Sequence, residues 1–260
     1  MGKNQYIAIV ISIVSIIVIY LAFDTVSPKI RSLEKSRHLQ IESTGLSNLL
    51  SAAQKKLDKT QSSYIEALQI NVTSTRQDTN QHILALRELS KAWLQYEFPA
   101  IAANYAEEVA NVQKNSNNWN NAGQMYRYCI ENEQEEKVKV FCTKRAINAF
   151  EKAISLEEDN KEYRINLALV YVEAPPSDNP MQGILMLREL NQQFPDNVEV
   201  LNQLGKLAIQ TNQLDKALER LEKANSLEPE NKTTICLLAD VLTQKGLVEK
   251  AEPFVLKCNK

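Results

Sequence analysis

The sequence predicts an all-α protein, and three observations carry that prediction. Six glycines and eight prolines in 260 residues are few, and the apolar/polar alternation of strands is nearly absent beyond the N-terminus. Through most of the chain apolar residues fall instead at helical spacing. Tyr6 to Phe23 carries no charge at all and reads as a membrane-spanning helix.

The N-terminal run, YIAIVISIVSIIVIYLAF, is interrupted only by the hydroxyls of Ser12 and Ser15. About 18 to 20 such residues span a hydrocarbon core, and Tyr6 and Tyr20 suit its two interfaces. A cleaved signal peptide is the rival reading, but it would be shorter and be followed by a small-x-small cleavage site. Leu21-Ala22-Phe23-Asp24 offers none, so residues 1–23 are expected to be a retained anchor. Residues 24–44 mix charge with serine and Pro28 and read as a juxtamembrane linker. Its Lys29, Arg31, Lys35 and Arg37 could meet anionic headgroups.

Helical periodicity starts near Gly45. Leu46, Leu49, Leu50, Ala53 and Leu57 form one short stripe. Tyr64, Ile65, Leu68 and Ile70 form another after the polar Lys59-Thr60-Gln61. Asn71 to Asn80 is polar and reads as a loop, with Asn71-Val72-Thr73 a chance-level match to a glycosylation sequon. Residues 45–82 are therefore expected to form a helical cap on the repeats that begin near Ile83.

The most informative stretch is Val198 to Asn231. Leu201, Leu204, Leu207 and Ala208 mark one amphipathic helix; Leu214, Ala217, Leu218, Leu221 and Ala224 mark a second. Thr211-Asn212-Gln213 between them is a helix-hairpin turn, and Pro229 cannot continue the second helix. Gly205 and Ala217 are small where the two helices would cross closely. This spacing resembles the tetratricopeptide repeat, a helical hairpin of about 34 residues. The resemblance recurs. Leu86, Leu89-Ser90, Trp93, Ala102, Ala106 and Val109 fit with serine replacing glycine. Trp119, Ala122-Gly123, Tyr126, Ala146, Phe150 and Ala153 fit more closely, with a stretched turn over 127–145 that extends the second helix backwards. Leu167-Ala168, Tyr171, Gly183, Leu187, Leu190 and Pro195 give a third unit, and Ile235, Leu238-Ala239, Leu242, Ala251, Val255 and Cys258 a last one. The resemblance thus implies an α-solenoid of about five repeats over residues 83–260.

The layout is similar to bacterial single-pass, membrane-anchored tetratricopeptide-repeat proteins. It implies a bacterial inner-membrane protein, with the side of the repeats open. The cations after the apolar run lean towards the cytoplasm; Lys3 in a very short leading segment resembles an export signal-anchor and leans towards the periplasm.

The net charge of -2 and pI near 5.9 give no case for a nucleic-acid partner. Cys129, Cys142, Cys236 and Cys258 show no CxxC pairing and read as small buried apolar side chains rather than a metal site. A disulfide stays open for an oxidising compartment, with Cys129 and Cys142 the pair to test. His38 and His82 are isolated. No cofactor is expected, and Glu107-Glu108 and Glu157-Glu158 read as solvated helix-surface pairs, so the chain is not expected to be an enzyme.

The resemblance implies binding instead, with the first helix of each hairpin lining a concave groove that grips a protein or peptide. It places Asn117, Asn120, Gln124 and Arg127 from the second unit there, Glu162, Ile165 and Leu169 from the third, and Glu199, Asn202, Lys206 and Gln210 from the fourth. Amides suit an extended backbone, and Arg127 and Lys206 suit a carboxylate. Simple solvated helix faces are the alternative. The function implied is a membrane-anchored scaffold or adaptor, or else a holdase-like accessory factor of a translocation or envelope-assembly machine.

Overall fold

A computed structural model describes residues 45–259. Leu49–Lys260 is one compact unit and Met1–Asn48 the other; of the latter only the beginning of the first helix is described. Among the described residues there are twelve helices and no strand. They are α1 (Leu46–Gln54), α2 (Lys59–Ser74), α3 (Thr79–Gln95), α4 (Pro99–Val112), α5 (Ser116–Asn132), α6 (Glu136–Leu156), α7 (Lys161–Glu173), α8 (Gln182–Gln193), α9 (Val198–Gln210), α10 (Leu214–Leu227), α11 (Lys232–Gln244) and α12 (Val248–Cys258). From α3 onward they pair as successive hairpins, which makes this part an all-helical repeat solenoid.

The first helix of each hairpin starts in the same way. Asp78, Asn115, Asn160, Asn197 and Asn231 stand at the N-caps of α3, α5, α7, α9 and α11, each side chain accepting from a backbone N–H in the first turn. Such a cap satisfies donors that no helical carbonyl can reach, and its loss costs about 1 kcal/mol. The second helices begin without one; α4 relies on Pro99 in its first turn. Three of the hairpin turns also share one design. Glu97, Asn212 and Gly246 adopt φ of 65°, 56° and 74°, and the N–H of the next residue reaches back to Trp93, Ala208 and Leu242 at 2.9, 2.8 and 2.9 Å. A left-handed residue closing a helix in this way uses carbonyls that would otherwise be unpaired.

Where the helices of a hairpin cross, small residues set the approach. A Cβ on Gly123 would lie 2.6 Å from the Phe150 ring, and one on Gly205 2.8 Å from Leu221. In the third hairpin the glycine sits on the other helix: a Cβ on Gly183 would lie 2.5 Å from the backbone nitrogen of Val172 and 2.7 Å from the Ala168 carbonyl oxygen. Ser90 takes the place of glycine in α3, and its hydroxyl donates to the Ala102 carbonyl at 2.7 Å. Apolar clusters then run from hairpin to hairpin. One joins α4, α5, α6 and α7 around Tyr126, Phe150, Leu167 and Val170. A second joins α7, α8 and α9 around Ile165, Leu187 and Leu204. A third joins α9, α10, α11 and α12 around Leu221, Leu238 and Ala251.

Several expectations are corrected. All four cysteines are bridged, Cys129 to Cys142 and Cys236 to Cys258, rather than free apolar side chains. Each bridge ties the two helices of one hairpin, so the turn lengthened over 127–145 is stapled as well as extended. Residues 71–74, expected as loop, continue α2. Lys59-Thr60-Gln61, the polar residues ahead of the second stripe, form the first turn of α2, where Asp58 and Gln61 make a reciprocal cap. Glu107 is not a solvated surface residue but 8% exposed, and its carboxylate accepts from the Tyr126 hydroxyl at 2.7 Å and Arg145 at 2.8 Å.

The expected localisation is corrected too. Among the described residues no helix is long and apolar enough to cross a membrane. The longest, α6, has 21 residues but includes Glu136, Lys137, Lys139, Lys144, Arg145, Glu151 and Lys152, and charge at that density is incompatible with a hydrocarbon core. The expected anchor at Tyr6 to Phe23, the linker at 24–44 and His38 lie outside the described residues.

Candidate functional site

The residues expected to bind a partner lie on the first helices α5, α7 and α9, and the structure separates them into two patches of different character. On α5, Asn117 and Gln124 are exposed. Asn120 is 3% exposed, and its oxygen accepts from Asn166 of α7 at 3.0 Å. Arg127 is committed as well. Its Nε donates to both carboxylate oxygens of Glu173 at 2.8 and 3.1 Å, and Nη2 pairs with Glu131 at 3.1 Å. Burial pushes the Glu173 carboxyl up to about 7 against the opposing pull of Arg127. Glu199, crowded though exposed, is also raised, first by desolvation and then by the charge of Glu162. Ile165 and Leu169 face neither groove nor solvent; both are buried in the core. The first patch is therefore an acidic surface in which the one arginine is already paired.

The second patch lies between α9 and α11. Asn202, Gln203 and Lys206 of α9 meet Lys232, Thr233, Cys236 and Leu237 of α11 around a hollow of about 340 Å³. Asn202 is 3% exposed and structural: its oxygen accepts from the Thr234 hydroxyl at 2.9 Å, and its amide lies 3.5 Å from the Asn231 side chain. Lys206 and Lys232 are exposed, and among the described residues neither has a carboxylate within ion-pair distance. Lys232 is the first residue of α11, where the helix end adds its own partial positive charge. Gln210 is exposed at the far end of α9.

Of the eleven residues expected in the groove, then, Asn202 and Lys206 line this hollow, while Asn117, Asn120, Gln124 and Arg127 lie on α5. Gln203, Lys232 and Thr233 escaped the sequence reading. The available signal was Asn231: recognised as an N-cap it places Lys232 and Thr233 in a first helical turn, though not opposite Lys206.

A family model agrees with this architecture over part of the chain. The tetratricopeptide repeat family matches residues 179–231, which takes in α8, α9 and α10. No curated protein matches the sequence. Among solved structures, MamA residues 41-end from Desulfovibrio magneticus RS-1 is 18% identical with a TM-score of 0.44, over 70% of this chain and 93% of that one. A crystal structure of MamA is 16% identical with a TM-score of 0.43, over 65% and 91%. YrrB, described as a TPR protein with an unusual peptide-binding site, is 16% identical with a TM-score of 0.39, over 75% and 91%. At these values none of them speaks to what this chain binds. The matched segment identifies residues 179–231 as tetratricopeptide repeat, one stretch within a stack of helical hairpins.

Proposed function

We propose that the chain is a binding scaffold that holds an extended, acidic segment of a protein partner on its first-helix face, over the hollow between α9 and α11. The observation that carries this reading is the pair Lys206 and Lys232, two exposed cations left without a carboxylate partner among the described residues. Beside them Gln203 and Thr233 offer donors and acceptors to a peptide backbone without regard to its side chains. Asn117, Gln124 and Gln210 extend the polar surface, whereas Asn120, Arg127 and Asn202 serve to hold neighbouring hairpins in place.

The test is partner recovery by affinity purification of the full chain, followed by mass spectrometry. Lys206→Glu together with Lys232→Glu should leave helicity intact and weaken the recovered complex about tenfold or more, each 1.4 kcal/mol being about tenfold. Charge reversal on the second helices, Glu222→Lys with Glu252→Lys, is the control and should change little. Recovery that survives the first pair and collapses with the second would sink the reading.

A further inference from the structure

We propose that the seam between α8 and α10, on the second-helix side, is a separate docking groove for a short acidic peptide segment carrying one large apolar side chain. A pocket of about 280 Å³ opens between the two helices, floored by Ile184, Leu204, Leu207 and Ala208. That volume falls just below the range for small-molecule sites, roughly 300 Å³ and up, and suits a single apolar side chain. Its cationic lining residues are Arg188, Lys216 and Arg220, and no acidic side chain lines it. Among the described residues none of these three cations has a carboxylate within ion-pair distance. Arg220 makes only a 3.5 Å contact with the Leu204 carbonyl, and Lys216 bonds only to the neutral Gln213. Other cations nearby are neutralised: Lys223 by Asp196 at 2.9 Å, and Lys245 by Asp215.

A second hollow separates a peptide from a small anionic amphiphile. The seam continues past Lys216 and Arg220 into this space of about 420 Å³, lined also by Asn191 and Leu201. The Asn191 side-chain oxygen is buried there without a hydrogen-bond partner. An unpaired buried acceptor is costly and calls for a donor. A backbone N–H supplies one; a fatty-acid anion does not. Glu219 and Lys223 line this second hollow as well, so its charge is mixed and the segment's carboxylates belong at the first. The groove therefore fits an apolar residue flanked by Asp or Glu, with its main chain running towards Asn191.

The probe is a blocked, fluorescein-labelled peptide, Asp-Glu-Phe-Glu-Asp, titrated against the full chain by fluorescence anisotropy. Binding should weaken with added salt, as contacts with exposed cations do. Arg188→Glu with Lys216→Glu should weaken it about tenfold or more, and so should serine in place of the peptide's phenylalanine. Lys55→Glu with Lys56→Glu, exposed cations that line neither hollow of the seam, should leave it within about twofold, which separates this groove from a general attraction to surface cations. If the reversed pair lowers helicity, Arg188→Gln with Lys216→Gln takes its place, with the same loss expected. The proposal is overturned by three results: no binding to the unaltered protein, equal binding by the reversed or neutralised pair, or uptake of dodecanoate at this seam with no competition from the peptide.

Discussion

The second and fourth hairpins solve one packing problem in two ways. In both, a glycine on the first helix lets a large side chain of the second lie across it: Phe150 over Gly123, Leu221 over Gly205. In the fourth the helices are short, 13 and 14 residues, joined by a turn closed through Asn212, and no bridge is needed. In the second they run to 17 and 21 residues, far past the crossing. There the extra length is held by the Cys129–Cys142 bridge, with both cysteines fully buried, and by Tyr126 and Arg145 on the carboxylate of Glu107. Burial, then the negative charge of Glu107, keeps the Tyr126 hydroxyl far above its ordinary pKa and so a donor. The crossing is set by a few small and large residues. The length beyond it needs covalent and polar ties, because each added turn costs chain entropy that apolar contact alone must otherwise offset.

Reduction should break this comparison most strongly. The Cys129–Cys142 bridge closes a loop of sequence separation 13, for which chain entropy predicts about 3 kcal/mol. Cys129→Ser with Cys142→Ser should lower the urea midpoint by a corresponding amount. The Cys236–Cys258 bridge involves half-exposed cysteines, so graded reductant with alkylation and mass spectrometry should open it first. Simultaneous opening would mean that burial does not protect the inner bridge.

Glycine substitutions sharpen the comparison at the crossing itself. Alanine at Gly205 meets Leu221, a flexible side chain; at Gly123 it meets the fully buried Phe150 ring; at Gly183 it meets backbone of α7. Overpacking of this kind costs about 1–3 kcal/mol, and an alanine recovers up to about 1 kcal/mol of helix propensity. Thermal unfolding should therefore rank Gly183→Ala as most destabilised, then Gly123→Ala, with Gly205→Ala least. A reversed order would show that rigid backbone is not what limits the third hairpin.

The smallest effect concerns the links between hairpins. Asn120→Ala leaves Asn166 without its partner, and Asn202→Ala does the same to the Thr234 hydroxyl. Each should cost about 1–2 kcal/mol, the usual penalty for a buried polar group left unpaired. Unchanged denaturation midpoints would return both asparagines to the role of partner-binding amides.

The hairpin at Val198 to Asn231 was legible in the spacing of Leu201, Leu204, Ala217 and Leu221, because each faces its partner helix at a period set by the α-helix alone. The closeness of Gly205 to its neighbour came from the same spacing. Legible in principle, though overlooked, were the Asn and Asp caps that open each first helix, since capping is a contact within a few residues.

Features that depended on two distant segments meeting were not legible. The pairing of Cys236 with Cys258, the burial of Glu107 between Tyr126 and Arg145, and the use of Asn120 and Asn202 as links all depend on how helices meet within and between hairpins. So does the meeting of Lys206 with Lys232, and of Arg188 with Lys216 and Arg220. By itself the sequence determined the helices, their pairing into hairpins and the small residues at the crossing, because these are local and periodic. Only the tertiary structure decided which polar residues are spent holding the stack and which cations are left facing solvent without a partner, because burial is a property of neighbours that the chain brings together from dozens of residues away.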